Sequence, residues 1–196
     1  MTKNSKTSRD LAMFLFEIGT LRKIVRAHRQ ALLTDDLSDN IASHSFRVAL
    51  IGWSLAKLEG VNPYKVVMMC LLHDLGESRS GDQNWINKKF VKVFDQEIGR
   101  AQLSRLPDSA EAMNLLAEYE ARKSTAAKVA KDADLVDQIL LLKEYEWQGN
   151  QEAARWLQGS HKIKALKTQS AKRVAREIMI QRPSNWWDGS STSKRR

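Results

Sequence analysis

Val66-Val67-Met68-Met69-Cys70-Leu71-Leu72-His73-Asp74-Leu75-Gly76-Glu77 is apolar through Leu72 and then presents two metal-ligand side chains and a further carboxylate. Val66, Met69, Cys70, His73 and Glu77 recur at spacings of three and four, so a helix would gather them on one face. That face turns from apolar to ionisable within one turn. His73 and Asp74 sit about 100° apart around such a helix, at ~3.6 residues per turn, so both can reach an ion at the edge of the face.

The same periodicity runs through almost the whole chain, and three prolines and nine glycines leave few breakers. The expected fold is all-α, a compact single-domain helical bundle. Helices are predicted near 9–31, 41–58, 63–78, 85–101, 108–122, 124–147, 150–158 and 164–181. Asp39 or Asn40 can cap the second, Gly60 closes it, and Asn62-Pro63 starts the third. Residues 1–8 and 188–196 are polar and basic and are expected to be disordered, leaving 9–187 as the domain. Trp186-Trp187 is expected to dock, over a groove of the helical core or in a subunit contact, because two exposed indoles are costly.

Two ligands make a weak site, and the chain offers more. His44 lies in an apolar stripe with Ile41, Val48, Ile51 and Leu55, and Asp134 follows Ala127 and Ala130 on the largely apolar face of another predicted helix. An unpaired carboxylate there would be expensive to bury. His44, His73, Asp74 and Asp134 together provide two nitrogens and two oxygens, which suits zinc, cobalt, manganese or magnesium and leaves positions open for water and substrate. Cys70 reads as core packing, and His28 and His161 as surface residues.

At this point the chain resembles the HD-domain phosphohydrolases, whose ordered pattern is a His, then a His-Asp pair, then a distant Asp. Asp39-Asn40-Ile41-Ala42-Ser43-His44-Ser45, His73-Asp74-Leu75-Gly76-Glu77 followed by Gly81-Asp82, and Ala130-Lys131-Asp132-Ala133-Asp134 through Glu144-Tyr145-Glu146 are similar to segments of the 5'-deoxynucleotidase branch. The likeness covers roughly residues 10–187. It implies hydrolysis of deoxyribonucleoside 5'-monophosphates and a homodimer. Ser43 stands where the branch usually has Glu, and Asn40 where it usually has Ser. Arg26 is followed by Ala27 and His28, so a bulky group beside the sugar would have to come from His28 or elsewhere.

Metal-assisted hydrolysis of a phosphate monoester is the chemistry these residue types permit. Glu77 could orient or deprotonate the water and Asp82 protonate the leaving oxygen, or the two could exchange roles. Gly81-Asp82 also suits a simple turn. Arg26 is the preferred phosphate clamp, with Arg29 as the alternate; both also fit a basic helix end with Arg22 and Lys23.

The 196 residues suit one domain, and a single cysteine excludes an internal disulfide. No apolar run approaches the ~20 residues of a membrane span, and no hydrophobic signal core is visible, so a cytoplasmic location is expected. A net charge of +9 and a pI near 9.7 raise a competing class, a nucleic-acid-binding module. The charge is spread along the chain without a recognition signature. A metal-binding helical protein without activity is a third reading, and hydrolysis of another nucleotide phosphoester a fourth.

Overall fold

Leu11, Phe14 and Ile18 fall on one face of the first helix, α1 (Lys3–Ile18), and pack it onto a small cluster with Leu72, Leu103 and Ala112. The computed structural model describes residues 3–158 and 161–188. The backbone is already helical at Lys3, which departs from the expected disorder of residues 1–8, because each further turn on a docked helix adds a hydrogen bond at little ordering cost. Residues 189–196 of the expected disordered tail, and the His161 side chain, lie outside the described region.

The helix predicted over 9–31 is broken. A 3-10 turn (Gly19–Lys23) follows α1, and Val25 then pairs with Asn40 in an isolated antiparallel bridge before the short α2 (Arg29–Leu32). Two backbone hydrogen bonds, Arg26 N to Asp39 O at 3.0 Å and Ile41 N to Ile24 O at 3.0 Å, hold this extended stretch against the start of α3 (Ile41–Glu59). Asn40 caps α3 by accepting from Ser43 N, and Gly60 ends it with φ of 67°.

Asn62 accepts from Tyr64 N and Lys65 N, and Pro63 opens α4 (Pro63–Leu72). The predicted 63–78 helix divides here. A turn over residues 73–76 leads into α5 (Glu77–Ser80), so His73 and Asp74 project from a helix end and not from its side. The predicted 85–101 helix also divides, into α6 (Asn87–Phe90) and α7 (Asp95–Leu103), around an irregular stretch that includes β-branched Val91 and Val93.

Then come α8 (Ser109–Ala121), capped by Asp108, and α9 (Thr125–Trp147), capped by Ser124. Next are α10 (Gln151–Gln158), α11 (His161–Ala165), α12 (Gln169–Ile180) and α13 (Asn185–Asp188). Buried Asp132 explains the break before α12, because it accepts from the N–H groups of Lys167 and Thr168 and from the Thr168 hydroxyl.

The core is a three-helix centre of α3, α4 and α9, with α8, α10 and α12 packed around it. Val48, Leu55, Val66, Met69, Ile139 and Leu142 are fully buried there. Each such side chain contributes about 1.5–3 kcal/mol. Small Ala127, Ala130 and Ala133 line the inner face of α9 and let its backbone approach α3 and α4. Buried Cys70 belongs to this core.

Trp186 and Trp187 do not close over the helical core of this chain. They stay 72% and 63% exposed, packed edge to face on each other at 5.0 Å, in a short terminal helix closed by Arg182–Asp188. No strand occurs among the described residues, and no helix among them is long and apolar enough to cross a membrane.

Candidate metal centre and pocket

His44 sits on the inner face of α3, His73 caps the C-terminus of α4, Asp74 lies in the following turn, and Asp134 faces them from α9. Packing forces these three helices together, which is why four residues spread over ninety positions converge. Donor atoms of His44, His73 and Asp134 all lie within 4.8 Å of one another. Asp74 Oδ2 is 3.1 Å from His73 Nε2 and 3.4 Å from His44 Nε2, and Asp134 Oδ1 is 3.4 Å from His44 Nε2.

Each imidazole is held through its other nitrogen. His44 Nδ1 pairs with Asp137 Oδ2 at 2.7 Å, and His73 Nδ1 with the Cys70 carbonyl at 2.7 Å. Both Nε2 atoms are buried and without a hydrogen-bond partner. Orphaned buried nitrogens facing two carboxylates fit a divalent cation, because a ligating His normally spends its second nitrogen on a carboxylate or carbonyl. His44, His73, Asp74 and Asp134 are therefore the residues that could hold one.

Electrostatics agree with that reading. Burial opposes a charged His44, yet Asp134, Asp137 and Asp74 outweigh it and lift the imidazole to about 11. Burial likewise disfavours ionised Asp134, but His44, Lys131 and His73 hold it well below the usual carboxylate range. Lys131 Nζ donates to Asp134 Oδ2 at 2.6 Å.

A cavity of about 530 Å³ opens above this floor, with His73, Asp74, Asp134, Glu77, Asp82 and Arg26 in its wall. Burial, then the charges of Asp74 and Asp82, push the Glu77 carboxyl up to about 9, and its Oε2 is buried without a partner. Arg26 is buried, with Nε 3.3 Å from Asp82 Oδ2 and Nη1 unpartnered. Burial disfavours its charge, but Asp74, Asp82, Asp134 and Glu77 hold it firmly protonated.

Arg29 is not brought to this cavity. It lies on α2 beside a separate depression with Val25 and Leu33, and its Nη2 pairs with Asp35 at 3.3 Å. One turn of α2 points it away from the site. His28, expected at the surface, is buried and pairs with Asp39 at 2.8 Å because the Val25–Asn40 bridge folds those two segments together. The substitutions at Asn40 and Ser43 leave His44 oriented by Asp137, while Asn40 caps the helix.

Sequence reasoning missed Asp137, which lies three residues after Asp134 and so on the same helical face; that spacing was its signal. It also missed Trp85, Lys88, Tyr119, Gln138 and Trp156 around the cavity. Trp85 and Lys88 fall within the helix predicted over 85–101, and it is the division of that helix, with Lys88 left in the short α6, that the sequence did not reveal.

A family profile described as an HD domain matches residues 18–176. A 5'-deoxynucleotidase HDDC2 of Dictyostelium discoideum is 30% identical over 129 residues, covering 59% of this chain and 67% of that one. The protein of the same name from Danio rerio is 26% identical over 145 residues, 70% of each chain. Among solved structures, a conserved hypothetical protein from Pyrococcus furiosus aligns with a TM-score of 0.72 at 23% identity, covering 87% of this chain and 99% of that one. A protein from Magnetospirillum magnetotacticum described as a predicted metal-dependent phosphohydrolase aligns with a TM-score of 0.69 at 23% identity, over 91% and 93%. With the His, His-Asp and Asp positions converging at the centre of this bundle, and the profile spanning most of its length, the chain belongs to the HD-domain family.

Proposed function

We propose that this protein is a metal-dependent phosphohydrolase that converts deoxyribonucleoside 5'-monophosphates to deoxyribonucleoside and inorganic phosphate. The observation that carries the reading is that one cavity is walled by His73, whose unpartnered Nε2 clusters with that of His44 and with Asp134, and by largely buried Arg26 with its unpartnered Nη1. Manganese, cobalt, zinc or magnesium all suit the two-nitrogen, two-oxygen donor set. Two relatives named 5'-deoxynucleotidases support the substrate class.

A divalent cation held by His44, His73, Asp74 and Asp134 supplies Lewis acidity toward a phosphoryl oxygen and lowers the pKa of a nearby water. Arg26 offers a fixed guanidinium to the phosphate oxygens, the planar two-pronged fit that lysine lacks. Asp82 holds Arg26 in place and also accepts from Ala27 N at 2.6 Å, so its role is to anchor the clamp. Glu77 has an unpartnered, buried oxygen and a raised proton affinity, which suits it to exchange a proton with water or leaving group.

The protein acts as a homodimer in this reading. Phe46, Leu50 and Trp53 form an exposed stripe on α3, and Tyr64, Met68 and Leu71 form another on adjoining α4. Two such stripes exceed what a lone soluble helix pair usually leaves in water. Sedimentation that gives only monomer removes this part.

The deciding experiment uses metal-stripped protein, 5'-deoxyribonucleotides and 5'-ribonucleotides, each cation in turn, and a His73→Ala control. Metal-dependent phosphate release favouring the deoxy sugar supports the proposal. Equal rates on both sugars keep the phosphatase and discard the sugar preference. Absence of release, with chelator-insensitive affinity for polynucleotide, favours a nucleic-acid-binding protein.

A further inference from the structure

Glu144-Tyr145-Glu146 and Asp137 take no part in the reaction as described, yet Glu144 and Asp137 end on the same chain of charged groups. His44 Nδ1 meets Asp137 Oδ2 at 2.7 Å. Asp137 Oδ1 accepts from Arg47 Nε, and Arg47 Nη1 donates to Glu144 Oε1 at 2.7 Å. Arg47 Nη2 also reaches the Asp137 carbonyl at 3.5 Å. The Asp137 side chain is 5% exposed, whereas Arg47 and Glu144 are about a third exposed, so the chain runs from the buried imidazole to the surface.

We infer that Asp137, braced by Arg47 and Glu144, is a positioning residue that sets the tautomer of His44 and thereby the cation affinity of the site. A carboxylate on Nδ1 keeps the proton there and leaves the Nε2 lone pair aimed at Asp74 and Asp134. Two oxygens of Asp137 are spent on two different partners, so the carboxylate cannot rotate without losing one of them. Arg47 lies three residues after His44 on α3, and Asp137 three after Asp134 on α9. The network therefore cross-links the two helices at the level of the site. Its α9 residues, Asp137 and Glu144, lie two turns apart on one face.

This inference rests on the cation reading of the site, and its test reads affinity, not turnover. Full-length, metal-stripped protein is titrated with cobalt(II), followed by visible absorption and calorimetry, for wild type and for Asp137→Asn, Arg47→Met and Glu144→Gln. Asp137→Asn is expected to weaken cobalt binding on the order of 10–100-fold, and Arg47→Met to weaken it in the same direction by less. Long-range proton–nitrogen NMR of the zinc-loaded protein should place the His44 proton on Nδ1 in wild type, with that signal shifted or lost in Asp137→Asn. A merely structural role would lower the melting temperature and leave that signal in place. Unchanged cobalt affinity in folded variants overturns the inference. If Asp137→Asn does not fold, Arg47→Met and Glu144→Gln decide it by the same measurement. Wild-type protein that binds no cobalt overturns both this inference and the cation site. Cobalt binding without phosphate release overturns only the hydrolase, and the variant affinities still decide the positioning role.

Discussion

Asp82 Oδ2 receives the backbone N–H of Ala27 at 2.6 Å and stands 3.3 Å from Nε of Arg26, so one carboxylate oxygen fixes both the guanidinium and the peptide beside it. The loop after α5 is thereby tied to the segment before α2.

Asp82→Ala should free the Arg26 side chain and raise KM for a nucleoside monophosphate. The variant loses both the ion pair to Arg26 and the hydrogen bond from Ala27 N, and a hydrogen bond to a charged group contributes about 1.5–3 kcal/mol, so the expected loss in kcat/KM is ~10–100-fold. Arg29→Ala should leave it unchanged, since Arg29 faces away from the cavity. Steady-state kinetics on the two variants checks both statements, and equal losses would undo the assignment.

Cation binding should stabilise the fold as well as permit turnover. A ligand at a hundred times its Kd adds about 2.7 kcal/mol when it binds only the native state. Thermal melts with and without manganese should show a rise in Tm that disappears on chelation and in His73→Ala.

Glu17 should make the fold acid-sensitive through groups that are not candidate metal ligands. Its hydrogen bond from Arg79 outweighs the opposing effect of burial, and Gln102 and Arg105 add to it, bringing its pKa down from 4.5 to about 2. A depressed carboxylate contributes stability that is fully present above its unfolded pKa and is lost as pH falls through its folded one. Stability should therefore drop between about 4.5 and about 2. Glu17→Gln should be less stable at neutral pH and show a shallower loss across that window in urea denaturation.

Gly52 is where α3 crosses α4. A Cβ there would stand 2.6 Å from Cys70 Sγ and 3.1 Å from Val66 Cγ1, inside a core with no room to yield. Gly52→Ala should cost about 1–3 kcal/mol, read as a lower urea midpoint at unchanged slope. Cys70→Ala in the same chain should recover part of that loss.

Periodicity made α3, α8, α9 and α10 legible to within a residue or so, because each is long, capped and apolar on one face. It also exposed the four convergent candidate ligands, since His44 and Asp134 interrupt apolar stripes that packing alone would fill with hydrocarbon. What it could not reveal were the interruptions. The extended stretch at Val25 and the gap before Gln169 are imposed by distant partners, the bridge to Asn40 and the carboxylate of Asp132, while the stop after Leu72 breaks a run whose apolar spacing continues to Glu77. Arg26 and Arg29 look equivalent on paper for the same reason. Only the tertiary pairing of Val25 with Asn40 decides which of them faces inward.

That bridge has a mechanical consequence. Arg26 N on the Asp39 carbonyl and Ile41 N on the Ile24 carbonyl fasten the clamp segment to the first turn of α3, the turn that also carries His44. The proposed phosphate clamp and one candidate metal ligand are thus set in register by backbone hydrogen bonds, independently of their side chains. From the other side of the cavity, Asp82 and Asn84 reach the same segment through their side chains, on Ala27 and Gln30.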